Sequence, residues 1–149
     1  MANYNFRKDL KIGQKGEEVV KTFLESKGAS FVNFNDNNQY DLKMMLNEEE
    51  ITYEIKTDVF CSPEYDTGNL FIEFFSRDKE SGISTSKAKW FVNYYKFLNE
   101  MWFIKTEDLR QLIIKNNFKV KVGGDVGSQT HGYLIPRNEF KEHFKIYKL

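Results

Sequence analysis

The sequence predicts an α/β fold with a mixed β-sheet. Three observations carry that reading: a helix-period stretch near the start, a series of short segments rich in Phe, Ile, Val and Tyr through the middle, and helix-like spacing again late in the chain. At 149 residues the chain fits one domain, 1–149, because two halves would each be too small to bury a good core. Aromatic residues make up 16% of it, so that core is expected to be bulky.

From Lys11 to Lys27, Ile12, Gly16, Val19, Val20, Phe23 and Leu24 fall on one side of a helix, and Gly28 stands where a C-cap glycine belongs. Phe31–Phe34 reads as a short strand and Asn35–Gln39 as a polar turn. Tyr40–Leu46 and Ile51–Thr57 read as two strands of a hairpin joined by Asn47-Glu48-Glu49-Glu50. Cys61–Gly68 is expected to be a loop, Asn69–Ser76 a strand, and Arg77–Gly82 a polar connection. Ser84-Thr85-Ser86 is expected to open a short helix, and Trp90–Phe97 and Met101–Lys105 to be strands. Thr106-Glu107-Asp108 looks like a helix N-cap with acids in the first turn, leading into Leu109–Lys115. Gly123–Gly127 reads as a loop and Gly132–Pro136 as a short strand. The helical spacing of Phe140, Phe144 and Tyr147 predicts a closing amphipathic helix.

Composition excludes several chemistries. Cys61 is the only cysteine, so no internal disulfide and no thiolate zinc site can form, which fits a reducing, cytoplasmic setting. His131 and His143 are the only histidines, which weighs against paired His ligands. The polar first twenty residues argue against a secretory signal, and no apolar run is long enough to span a membrane. Formal net charge is zero, yet the first sixty residues are acidic in balance and the segment after 110 is basic.

The informative constellation is Asp41, then Glu54-Ile55-Lys56 after a twelve-residue gap. Residues two apart on a strand share a face, so Glu54 and Lys56 project together while Tyr53 and Ile55 turn to the core. If the hairpin forms, Asp41 sits beside Glu54. Two adjacent carboxylates repel, and a divalent cation removes that conflict because Mg²⁺ favours oxygen ligands. Lys56 can then orient or deprotonate a water, or hold a phosphate oxygen.

Asp41…Glu54-Ile55-Lys56 resembles the motif of the PD-(D/E)XK nucleases, with Tyr40 where that family usually has Pro. Gly13-Gln14-Lys15-Gly16-Glu17 resembles the element that places an extra metal-supporting Glu on the first helix in the resolvase-like branch. At about 100° per residue, Glu17 borders the apolar stripe while Glu18 points to solvent. Gly68–Phe74, Ser81–Ala88, Phe103–Thr106 and Gly132–Pro136 are similar to small phage-encoded nucleases of that superfamily, Holliday-junction resolvases above all. The resemblance implies a restriction-endonuclease-like mixed sheet flanked by helices. It implies a Mg²⁺-dependent DNA endonuclease, with Mn²⁺ able to substitute, acting as a homodimer in the cytoplasm (the host's, if phage-encoded). It assigns catalysis to Asp41, Glu54, Lys56 and Glu17, and the metal to Asp41, Glu54, Ile55 and Glu17. Branched or duplex DNA is the expected partner. A sequence-specific or end-processing nuclease of the same fold, or a catalytically silent DNA-binding module, are the alternatives.

Lys11 and Lys15 are expected to flank the site on the DNA side. Ser84, Thr85, Ser86, Lys87 and Lys89 can hold a DNA phosphate at a helix N-terminus, although plain capping explains the hydroxyls as well. Glu73, an acid among Phe71, Ile72, Phe74 and Phe75, either lines the site or faces water. Gly123–Gly127 is not a P-loop, since no Gly-Lys-Ser/Thr follows it.

Overall fold

The computed structural model describes residues 6–35, 39–123 and 129–149. Helix α1 (Phe6–Ser26) is followed by β1 (Ser30–Phe34), β2 (Leu42–Leu46) and β3 (Glu49–Asp58). Then come β4 (Asn69–Ser76), β5 (Lys79–Glu80), a 3-10 turn at Gly82–Ser84, β6 (Trp90–Tyr95) and β7 (Glu100–Lys105). Helix α2 (Thr106–Lys115), β8 (Lys119–Gly123), β9 (Thr130–Pro136), the short α3 (Arg137–Phe140), a second 3-10 turn and β10 (Lys145–Lys148) complete the chain.

The strands form two sheets, one of six strands in the order β1-β2-β3-β6-β7-β10 and one of four in the order β5-β4-β9-β8. The larger sheet is mixed: β3 and β6 run parallel and its other neighbours antiparallel. One of its faces packs on α1, where Val20 and Leu24 meet Leu42, Met44, Tyr53, Ile55, Val92 and Phe103. The other face packs on α2 and the smaller sheet, where Phe91, Tyr95, Trp102 and Ile104 meet Leu109, Leu112, Leu70, Ile72 and Ile135. Central β6 is therefore buried on both faces, as its apolar residues Phe91, Val92, Tyr94 and Tyr95, interrupted only by Asn93, require. Among the described residues no helix is long and apolar enough to cross a membrane.

Two-residue turns set the registers. Asn47 and Glu48 take φ of 52° and 66°, closing the β2–β3 hairpin with only two residues where the sequence suggested four. Arg77 and Asp78 do the same between β4 and β5. The first turn pairs Leu46 with Glu49 and Leu42 with Tyr53, which brings Asp41 level with Glu54.

The structure corrects other predicted elements as well. The closing helix is absent: α3 stops at Phe140, and Lys145–Lys148 form a strand on β7. Phe140 and Phe144 pack into the core shared with the smaller sheet, whereas Tyr147 packs on Phe23 and Phe103 across the larger sheet. A single helix face could not serve both, so tertiary pairing overrides the local period. The stretch Ser84–Ser86 does not open a helix but follows the 3-10 turn that ends at Ser84. Thr106 is the first residue of α2, not its cap, and its hydroxyl has no partner. Strand β8, with Val120 and Val122 exposed, was not foreseen. Residues 36–38 of the expected polar turn and 124–127 of the glycine loop lie outside the described residues.

Candidate active site

The site forms where β2 leaves β3. Asp41 still donates its backbone N–H to the Tyr53 carbonyl (2.9 Å). Beyond it the ladder lacks a backbone acceptor for Ile55, and the Asp41 carboxylate takes that place, accepting the Ile55 N–H at 2.7 Å. A buried N–H has to be satisfied, and satisfying this one fixes the first carboxylate beside the second. Ile55 itself is buried in the α1 core, so only its main chain borders the site.

Glu54 and Lys56 project from the opposite face of β3, toward the smaller sheet. Glu54 accepts a hydrogen bond from the Ser86 hydroxyl at 3.0 Å. Ser86 is held in turn by Arg110 of α2, whose guanidinium donates to the carbonyls of Ser86 (2.6 Å) and Ile83 (3.0 Å). Lys56 reaches Glu73 of β4, Nζ to Oε1 at 3.5 Å. Glu73 stands at an irregularity in the β4–β9 pairing, a place where strands re-aim side chains. Gly82, with φ of 53°, passes so close that a Cβ there would lie 2.2 Å from the Glu73 carbonyl oxygen. Glu73 thus lines the site, which settles the choice its sequence context left open.

Glu17 arrives from α1. The helix can approach β3 closely because Gly16 has no side chain; a Cβ there would fall 1.7 Å from Thr57 Oγ1. Glu17 is half-buried and Glu18 exposed, as the helical phase predicts.

The electrostatics are those of an uncompensated acidic cluster. Burial and the charge of Asp41 push Glu17 up to about 7, against the pull of Lys56. Burial and Asp41 likewise push Glu54 up to about 7, although Lys56 and the Ser86 hydroxyl work the other way. Burial also raises Asp41, opposed by the Ile55 N–H, Lys56 and a hydrogen bond with Glu54. Burial works against the Lys56 ammonium, but Glu73, Glu54 and Asp41 outweigh it and raise Lys56 above the ordinary Lys range. Lys56 therefore stays cationic at neutral pH, which favours holding an anion over deprotonating a water.

These donors fit a hard divalent cation: they are carboxylate oxygens, and a cation would reverse the repulsion that raises their pKa values. They are not a preformed cage. Among the described residues no three His, Cys, Asp or Glu side chains lie grouped tightly enough to hold a metal.

The residues expected to contact DNA divide. Lys11 and Lys15 are exposed on α1 beside a cleft next to the site. Ser84, Thr85 and Lys87 are exposed in the segment before β6. Ser86 is 2% exposed and committed to Glu54, so it positions a carboxylate and has no surface to offer a phosphate. Lys89 pairs with Glu49 at 3.0 Å, at the start of β3 and roughly 20 Å along the strand from Lys56. Asn93 escaped the sequence reading. It is the register partner of Lys56 on β6, is 4% exposed, and its Nδ2 has no partner. A lone amide inside Phe91-Val92-Asn93-Tyr94-Tyr95 is the signal that could have found it.

The chain matches no protein-family model, no curated protein and no solved structure.

Proposed function

We propose that this protein is a divalent-metal-dependent DNA endonuclease with a restriction-endonuclease-like fold, acting on branched DNA in the manner of a Holliday-junction resolvase. One observation carries the reading. Asp41, the Glu54–Lys56 pair and Glu17 gather where β2 leaves β3, and burial with mutual repulsion pushes Glu17 and Glu54 up to about 7. A purely structural site would gain nothing from Glu17, Asp41, Glu54 and Glu73 set around one lysine.

In this reading Asp41 and Glu54, with the main chain at Ile55, hold Mg²⁺ or Mn²⁺, and Glu17 supports it from the helix. The cation supplies a Lewis acid that lowers the pKa of a water and offsets charge on phosphate oxygens. Lys56 binds a phosphate oxygen and keeps the scissile group in place. Ser86 and Arg110 hold Glu54 in its rotamer, and Glu73 holds Lys56 until substrate replaces it. A homodimer would present two such sites to opposed strands.

The test compares cleavage of a labelled four-way junction, a linear duplex and a single strand, with Mg²⁺ and with EDTA. Metal-dependent paired cuts in the junction, lost in Glu54→Ala and Lys56→Ala, are expected. Cleavage of linear or single-stranded DNA instead would assign the chemistry to restriction or end processing. Well-folded protein that cleaves none of them would overturn the enzyme reading and leave a binding module.

A further inference from the structure

A cleft of about 250 Å³ opens beside the acidic cluster, between α1 and the ends of β3 and β6. Its lining includes Lys8, Lys11 and Lys15 from α1 and Lys96 from the turn after β6. Gly16 and Thr57 also line it, each one residue from a site side chain, Glu17 and Lys56. We infer that this cleft holds the backbone phosphates of a DNA strand on one side of the scissile position, so that the substrate runs along α1 and away from Lys89. The link to a scissile position rests on the nuclease reading; the binding itself does not.

Three observations support the assignment. First, the charge is one-sided. The whole chain is neutral, yet among the described residues lining the cleft there are four lysines and no acid. Second, the spacing suits a polymer. Lys8, Lys11 and Lys15 stand at i, i+3 and i+7, on one face of the helix, and span roughly 10 Å along it. That length matches about three base-pair rises along a duplex axis at 3.4 Å each. Third, Lys96 closes the opposite wall at the carboxyl ends of the parallel pair β3–β6, held there by its N–H on the Asp58 carbonyl at 3.0 Å. Ligands of open α/β sheets bind at such ends.

An anion here would complete the site from the outside. The acidic cluster alone repels a phosphodiester, and the row of ammonium groups along the adjoining cleft offsets that repulsion. The mostly apolar stems of the lysines and Ile12 and Val19 leave no pattern of donors to read bases, so the contact is to backbone and independent of sequence.

The experiment measures fluorescence anisotropy of a labelled DNA duplex and junction in EDTA, where no cleavage occurs, over a series of salt concentrations. The variants are Lys11→Glu with Lys15→Glu, and Lys96→Glu. The control is Lys119→Glu with Lys121→Glu, an equal charge change on exposed β8. The cleft double variant is expected to lose at least tenfold in affinity, and the slope of log K against log salt should shrink by about one per lysine, with the control near wild type. Wild-type affinity and slope in the cleft variants, an equal loss in the control, or no DNA binding by the wild type would each overturn the assignment. Thermal midpoints check folding, and Lys11→Gln with Lys15→Gln replaces any glutamate variant that does not fold. DNA binding through the cleft without metal-dependent cleavage of any substrate would sink the nuclease reading and leave the cleft standing. Cleavage with unaffected binding in the cleft variants would do the reverse.

Discussion

Two clusters of charge lie inside this protein, and they are built on opposite plans. Around Arg137, which is 6% exposed, every charge is answered. Its guanidinium pairs with Asp66, donates to the Asn69 carbonyl at 3.3 Å, and stacks over the Tyr95 ring at 4.6 Å. Burial works against the Asp66 carboxylate, but the Gly68 N–H and Arg137 outweigh it and hold its pKa below the usual range. Around Lys56 the balance fails. Glu17, Asp41 and Glu54 all titrate above their ordinary range, each first because of burial. The first cluster ties the Cys61–Gly68 loop to β9 and α3 and has a structural purpose. The second costs stability in the folded protein as it stands, and a cost retained in one place is best explained by something that binds there.

Removing one member of each cluster separates the two most clearly. Glu54→Gln and Lys56→Ala are expected to lower metal-dependent cleavage by about 10²–10⁴-fold, with Glu54→Gln no less stable than wild type above neutral pH. Arg137→Ala is expected to do the opposite, costing about 3 kcal/mol in chemical denaturation because Asp66 and the Asn69 carbonyl lose their partner. If Glu54→Gln were the destabilised one, the two clusters would have to be read alike.

A smaller effect probes how the site is held. Ser86→Ala should lower cleavage about tenfold, as loss of a supporting hydrogen bond does, and should move the acid limb of the rate profile upward because Glu54 loses a group that lowers its pKa. A loss of rate with an unmoved profile would mean that Ser86 only shapes the backbone.

The smallest effect is in the pH dependence of stability without metal. Glu17 and Glu54 rise from 4.5 to about 7 on folding, so between those values the folded protein holds more protons than the unfolded chain. Stability should therefore fall as pH climbs through that window, and Glu17→Gln or Glu54→Gln should flatten the slope. Asp66 has the opposite sign: its contribution is present above 3.8 and is lost as pH falls through its lower folded value. Adding Mg²⁺ above pH 7 should raise the thermal midpoint of wild type and not of Glu54→Gln. A flat profile without metal would remove the evidence for uncompensated carboxylates.

How far the site could be read in advance follows from the range of the interactions involved. The Glu54–Lys56 alternation is a property of one strand. The Asp41–Glu54 juxtaposition is a property of one hairpin, even though that hairpin turns on Asn47-Glu48 alone. Glu17 needed only helical phase. Each is local, and the structure places each as its neighbours in sequence dictate. Asn93 and Arg110 were illegible as site residues, and Ser86 and Glu73 were noticed without their partners, because those partners come from other elements through packing. Ser86 looked like a cap, and its hydroxyl instead serves a carboxylate 32 residues away.

The end of the chain shows the same limit. Phe140, Phe144 and Tyr147 have the period of a helix face, yet the open side of β7 needed a partner, and Lys145–Lys148 supply it. Unpaired backbone groups at a sheet edge weigh more than three well-spaced aromatics. The mixed α/β composition, α1 with its Gly28 end, the first hairpin and the carboxylate–lysine face of β3 were legible in the residues alone, because each depends on neighbours within one turn or one ladder. Tertiary structure alone decided the second sheet, the closing strand, the Glu73 and Ser86 partners and the lysine cleft. Those depend on which surfaces meet, and burial is settled only when the whole chain has folded.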